Sequence, residues 1–201
     1  MLPDQCQIAF CQVAFKEWAI TVAALAQGQQ IMLLRKGGIH EEGQNFRVMH
    51  PEFLLYPTYE HQREDLLKPD HQPALAQLLA QAPQSDTITF QYWARVSEVI
   101  EVLDQEQVNR LAPHHIWTDE YAQSRLRWKA TLPLSILLLR VYRLERPVPV
   151  DYSREYGGCT SWVDTLPRIT LGNLSPVLSD AKFQRQVDEI KGSLGRRVTA
   201  G

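Results

Sequence analysis

Cysteine is scarce in this chain: Cys6, Cys11 and Cys159 are three among 201 residues, odd in number and without a C-x-x-C pair. That argues against a disulfide framework and a thiolate zinc site, and it points to a reducing compartment. Phosphate-cradling glycine loops are also missing. No G-x-G-x-x-G or Walker sequence occurs, and Gly37-Gly38 lack both the further glycines and the helix start that such a cradle needs, so nucleotide hydrolysis is not expected. The longest apolar run, "ILLL" at Ile136 to Leu139, is too short to span a bilayer. The first residues, "MLPDQCQIAF", carry an acid where a signal peptide wants bases, so a cytoplasmic protein is expected.

Histidines with ligand spacing are absent as well. His114 and His115 are adjacent and cannot face one metal from a regular element, while His50, His61 and His71 stand far apart. A two-metal nuclease would need an E-x-K on the strand after Pro69-Asp70, but "YWARVSEVIEV" offers Arg95 and Glu98 in the wrong order. Neither metal nor cofactor is expected. Excess charge is missing too, the net value being -2. The average conceals a local +5, because Arg125, Arg127, Lys129, Arg140, Arg143 and Arg146 face the single acid Glu145 between Tyr121 and Arg146. A basic stripe of that kind can bind a polyanion on a neutral protein.

What is present is an ordinary globular composition, 44% hydrophobic and 22% charged. It predicts one folded domain over residues 1–201. Phe15, Trp18, Ala19, Val22 and Leu25 recur at helical spacing before Gly28, which predicts a helix over 14–27, although a hairpin around "AQGQ" also fits. "QIMLLRK" and "FLLY" read as buried strands, the second stopped by Pro57. "PALAQLLAQA" is a short amphipathic helix, and Ile88 to Val102 alternates as a half-buried strand. Asp104 and Thr118 can cap two further helices, "LSILLLRVYRL" is a long strand ending at "ERPVPV", and Ser179 caps a last helix carrying Phe183, Val187, Ile190 and Leu194. The glycine-rich stretch 156–167 is expected as a flexible loop, 64–85 as an insert and 196–201 as a frayed tail. Strands irregularly interleaved with short helices give an α+β class with a mixed or barrel-like sheet.

Two segments exceed what packing requires, "FRVMHPEFLLYPTYEHQ" and "HHIWTDEYAQSRLRWK". They supply Arg47, Tyr56, Thr58, Tyr59, His61, Gln62, His114, His115, Trp117, Tyr121, Arg125, Trp128 and Lys129. Flat aromatic faces stack bases, amides and imidazoles read base edges, and guanidinium or ammonium groups hold phosphates. The expected function is a binding module for nucleic acid or nucleotides. The alternatives are an enzyme with His61, His114 or His115 as general base beside Tyr59 or Glu60, and a protein-interaction adaptor with exposed aromatics.

The runs "FKEWAITVAALAQGQQIMLLRKGGIHEEG", "FRVMHPEFLLYPTYEHQ" and "PHHIWTDEYAQSRLRWK" resemble a bacterial domain-of-unknown-function family, number 1802, along most of the chain. That resemblance implies no activity, only a hint towards DNA through an association of some members with restriction-type nuclease domains. "ALAQGQQIMLLRK", "FLLYPT", "RLERPVPV" and "NLSPVLSDAKFQRQVDEI" are similar, more distantly, to parts of PUA-like domains of the ASCH and EVE kinds. This likeness implies a PUA-like fold, recognition of a modified or extruded base, and a pocket beside Tyr56, Pro57 and Thr58.

Overall fold

The computed structural model describes residues 10–36, 50–83, 86–128, 130–158 and 160–195. The first element is a strand, β1 (Phe10–Trp18), and only then does a helix, α1 (Ala19–Ala26), begin. This corrects the helix expected over 14–27, which begins only at Ala19, and the alternative hairpin around "AQGQ". β1 is laddered on both sides, parallel to β3 (Glu52–Thr58) and antiparallel to β6 (Trp162–Thr170). Those partners lie far along the chain, and their hydrogen bonds override a helical spacing that is only local. The alanine-rich half keeps its propensity and forms α1. That helix ends as Gly28 predicts: its φ is +68°, its N–H donates to Leu25, and Gln29 N–H donates to Ala24. The pair of bonds is a Schellman cap.

β2 (Met32–Lys36), β4 (Thr87–Val102), β5 (Leu134–Asp151) and the two-residue β7 (Ser175–Pro176) complete a seven-stranded sheet in the order β2-β5-β4-β3-β1-β6, with β7 on β5. β1–β3 is the parallel pair and the others are antiparallel, so the sheet is mixed and the class α+β, as expected. The path is open, since β2 and β6 do not pair among the described residues.

Two strands outrun the prolines expected to stop them. β3 continues through Pro57 to Thr58 because β4 pairs it only over Glu52–Leu54, leaving Pro57 a single strand neighbour. β5 likewise includes Pro147 and Pro149, a stretch that neither β2 nor β7 covers. In β4 the register shifts between Phe90 and Tyr92. There two residues of β4 run against five of β5, Val148 to Arg143, and past this break Trp93, which strict alternation assigns to the polar face, lies with Phe90 in the core at 1% exposure.

The sheet separates two apolar clusters. One contains Phe15, Phe53 and Leu55 with α1, β2 and the helical layer, and the other contains Ala14, Leu54, Tyr56, Phe90 and Trp93. The helical layer is α2 (Gln72–Ala80), α3 (Gln105–Arg110), α4 (Asp119–Arg127) and α5 (Asp180–Gly195). The three expected caps form: Asp104 Oδ1 accepts Gln107 N–H at 2.8 Å, Thr118 Oγ1 accepts Tyr121 N–H at 3.3 Å, and Ser179 Oγ accepts Lys182 N–H at 3.4 Å. On α5, Val187 and Ile190 are buried as their spacing requires. The segment expected as an insert sends Leu67 and Leu75 into the main core. The stretch expected as a flexible loop, 156–167, starts at the last residue of a 3-10 turn (Arg154–Tyr156) and includes β6 from Trp162 to Pro167. No helix among the described residues is long and apolar enough to cross a membrane.

Candidate nucleic-acid interface

The two aromatic and polar segments meet in space. After β3 the chain passes Tyr59 to Gln62, and Leu67 bridges to Trp117 while Thr118 N–H donates to Leu66 and Lys68 N–H to Ile116. Lys68 Nζ donates to the carbonyls of Ala112 and His115. These bonds fasten the turn after β3 to the N-terminal side of α4. The place is the carboxyl end of the parallel pair β1–β3, where strands give way to loops and the start of α1.

Packing claims many of the side chains expected to bind. Tyr56 is 7% exposed, with its ring edge-on to Phe90 and Tyr156, and burial foremost pushes its hydroxyl pKa up to about 12. Trp117 and His115 are core, at 1% and 4% exposure. Thr58 Oγ1 donates to the Glu17 carbonyl, and Gln62 Oε1 accepts Ile20 N–H at 3.1 Å, satisfying one of the open donors at the start of α1. Both polar groups therefore hold scaffold. Tyr59 is half-buried, and burial raises its pKa. His61 is exposed at a φ of 57°. His114 turns the other way, its Nε2 3.0 Å from Ser193 Oγ on α5. Arg47 and Lys129 lie outside the described residues.

The histidine general base expected beside Tyr59 or Glu60 is not assembled, because none of His61, His114 and His115 bonds to either among the described residues. The basic stripe is also dispersed. Arg140 is 8% exposed, paired with Asp180 and stacked over Phe183, while Arg143 and Arg146 lie further along β5, away from the end beside α4. Along a strand, six residues span about 20 Å.

What remains together surrounds the phenol of Tyr121. Its ring stacks on Trp117 at 5.3 Å and meets Trp18 at 5.8 Å. Arg125 lies over the same ring and donates from Nη2 to its oxygen at 3.0 Å. Burial, then the Glu17 carboxylate, raises the Tyr121 pKa, whereas Arg125 and Arg35 oppose the shift. Glu17 pairs with Arg35, whose guanidinium lies 4.3 Å over Phe15. The Glu17 carboxylate is taken by Arg35, and Arg125 makes no ion pair among the described residues. Three residues on, at the C-cap of α4, the indole of Trp128 is 53% exposed. Glu17 and Arg35 escaped the sequence reading. The signal was a charged pair, Lys16-Glu17, inside an apolar run. In a strand, adjacent residues face opposite ways: Glu17 meets Arg35, and Lys16 Nζ donates to the carbonyls of Tyr156 and Gly158 at 2.8 and 2.9 Å.

Among solved structures, the chain is similar to the ASCH protein of Zymomonas mobilis, with a TM-score of 0.44 and 10% identity over 88% of this chain and 93% of that one. Its serine-to-alanine variant gives 0.45 and 9% over 88% and 94%, and its tyrosine-to-phenylalanine variant 0.41 and 11% over 88% and 96%. No curated protein matches the chain. The family model described as "Domain of unknown function (DUF1802)" matches residues 14–189, nearly the whole described fold, and the chain belongs to that family.

Proposed function

We propose that the chain is a binding module for single-stranded nucleic acid or nucleotides, and that the C-terminal end of α4 is its contact surface. The observation that carries this reading is the exposed indole of Trp128 at the C-cap of α4, three residues after Arg125, a guanidinium with no carboxylate partner among the described residues. A flat face beside an uncompensated cation suits a stacked base and its phosphate, and exposed Arg127 adds charge at the same end. Tyr121, itself stacked on Trp117, holds Arg125 by its hydroxyl and ring, so the cation is held before a ligand arrives.

The test is fluorescence anisotropy with a labelled single-stranded oligonucleotide. Trp128→Ala is expected to weaken binding by about 1 to 3 kcal/mol, the worth of one stacked base, in a variant that circular dichroism shows to be folded. Binding equal to the unaltered chain would refute this surface.

A further inference from the structure

A second site lies away from the α4 surface. The one-turn 3-10 helix Ala112–His114 faces α5 across an open groove of about 690 Å³ lined by His114, Arg185, Asp188, Glu189 and Ser193. His114 Nε2 stands 3.0 Å from Ser193 Oγ although 79 residues separate them. A serine hydroxyl is a poor nucleophile until a base at hydrogen-bond distance can take its proton, and a third group commonly orients that base. Both conditions have counterparts here. Burial and Lys68 lower the pKa of His114, so its ring is neutral and able to accept a proton at neutral pH, while the Glu189 charge favours the imidazolium once formed. Glu189 is four residues before Ser193 on α5, which places acid and hydroxyl on one helix face towards the ring.

We propose that Ser193 and His114 form a nucleophile–base pair that hydrolyses small carboxylic esters, with Glu189 as a positioning residue. Ser193 Oγ attacks the ester carbonyl carbon and its proton passes to His114 Nε2. The bond from carbon to the leaving oxygen breaks, and His114 returns the proton to that oxygen, releasing an alcohol. Water then attacks the acyl-serine. His114 takes a proton from the water and delivers it to Ser193 Oγ as the carboxylic acid leaves, so ester and water become acid and alcohol with the pair regenerated.

The test uses the full chain with a fluorophosphonate probe, read by intact mass and peptide mapping, beside hydrolysis of p-nitrophenyl acetate. One adduct is expected, on Ser193, absent in Ser193→Ala and formed about a hundredfold more slowly or worse in His114→Gln. Ser193→Ala should also lose the esterase rate. Circular dichroism and thermal unfolding confirm that each variant is folded, and His114→Asn serves if His114→Gln is not. No adduct on Ser193 in the unaltered chain, or labelling at the same rate in a folded His114 variant, would overturn the proposal. Either result would mean that the hydrogen bond only fastens the 3-10 turn to α5.

Discussion

His115 and Gln62 show how polar side chains in suggestive stretches are spent on the interior. Burial foremost, with Lys68 adding to it, lowers the pKa of the His115 ring to about 3, opposed by the backbone of Trp117. In the unfolded chain an imidazole titrates near 6.5. Between the two values the unfolded state binds the extra proton, so the stability is complete above the unfolded pKa and is lost as pH falls towards the folded one, at up to about 1.4 kcal/mol per pH unit. His71 and His114 are lowered too and act in the same direction. Urea unfolding at neutral and mildly acidic pH should therefore show a larger loss on acidification in the unaltered chain than in His115→Leu; equal losses would contradict a neutral buried ring. Gln62→Ala removes the acceptor of Ile20 N–H and should cost about 1 to 3 kcal/mol, measured in the same way. A change in ligand affinity without that cost would return Gln62 to the binding surface.

Elements were legible where their signals close within a few residues. Asp104, Thr118 and Gly28 each satisfy backbone groups two to four positions away, and all three ends were readable from the chain. Gly28→Ala tests the last of these. At a φ of +68° a side chain is strained, and the new Cβ would lie 2.5 Å from Leu178 Cδ2, so a loss of about 1 to 2 kcal/mol in thermal or chemical unfolding is expected. β1 was not legible because its partners begin about 40 and 150 residues downstream, and nothing local distinguishes Val13-Phe15 alternation from the start of α1. Half of the site was lost with it. Glu17 joins Arg35 only once β1 is a strand, and the adjacent histidines separate into one core ring and one groove ring only when the 3-10 turn ends at His114. Leu54 was read as core and is, lying against Ala14 of β1 and Trp93 of β4 at 0% exposure. Leu54→Ala should cost about 2 to 5 kcal/mol in chemical unfolding, and a loss under about 1 kcal/mol would contradict the second cluster.

At the scale of the whole molecule, a net charge of -2 gives no general attraction for a polyanion, so any binding has to be local. The sheet disperses the bases of the 121–146 stretch: Arg140 is neutralised at the α5 contact, and Arg143 and Arg146 lie out along β5. Arg125 is left beside exposed aromatic surface at one end of the molecule. Phosphate binding there should release counterions from few contacts, giving a shallow but measurable salt dependence. The most direct measurement is the slope of log Kobs against log salt concentration for a single-stranded oligonucleotide, in the unaltered chain and in Arg125→Ala. The account predicts weaker binding in the variant and a slope less negative by about 0.7, the share of one phosphate contact. An unchanged slope with unchanged affinity, or no binding by the folded unaltered chain at low salt, would contradict it.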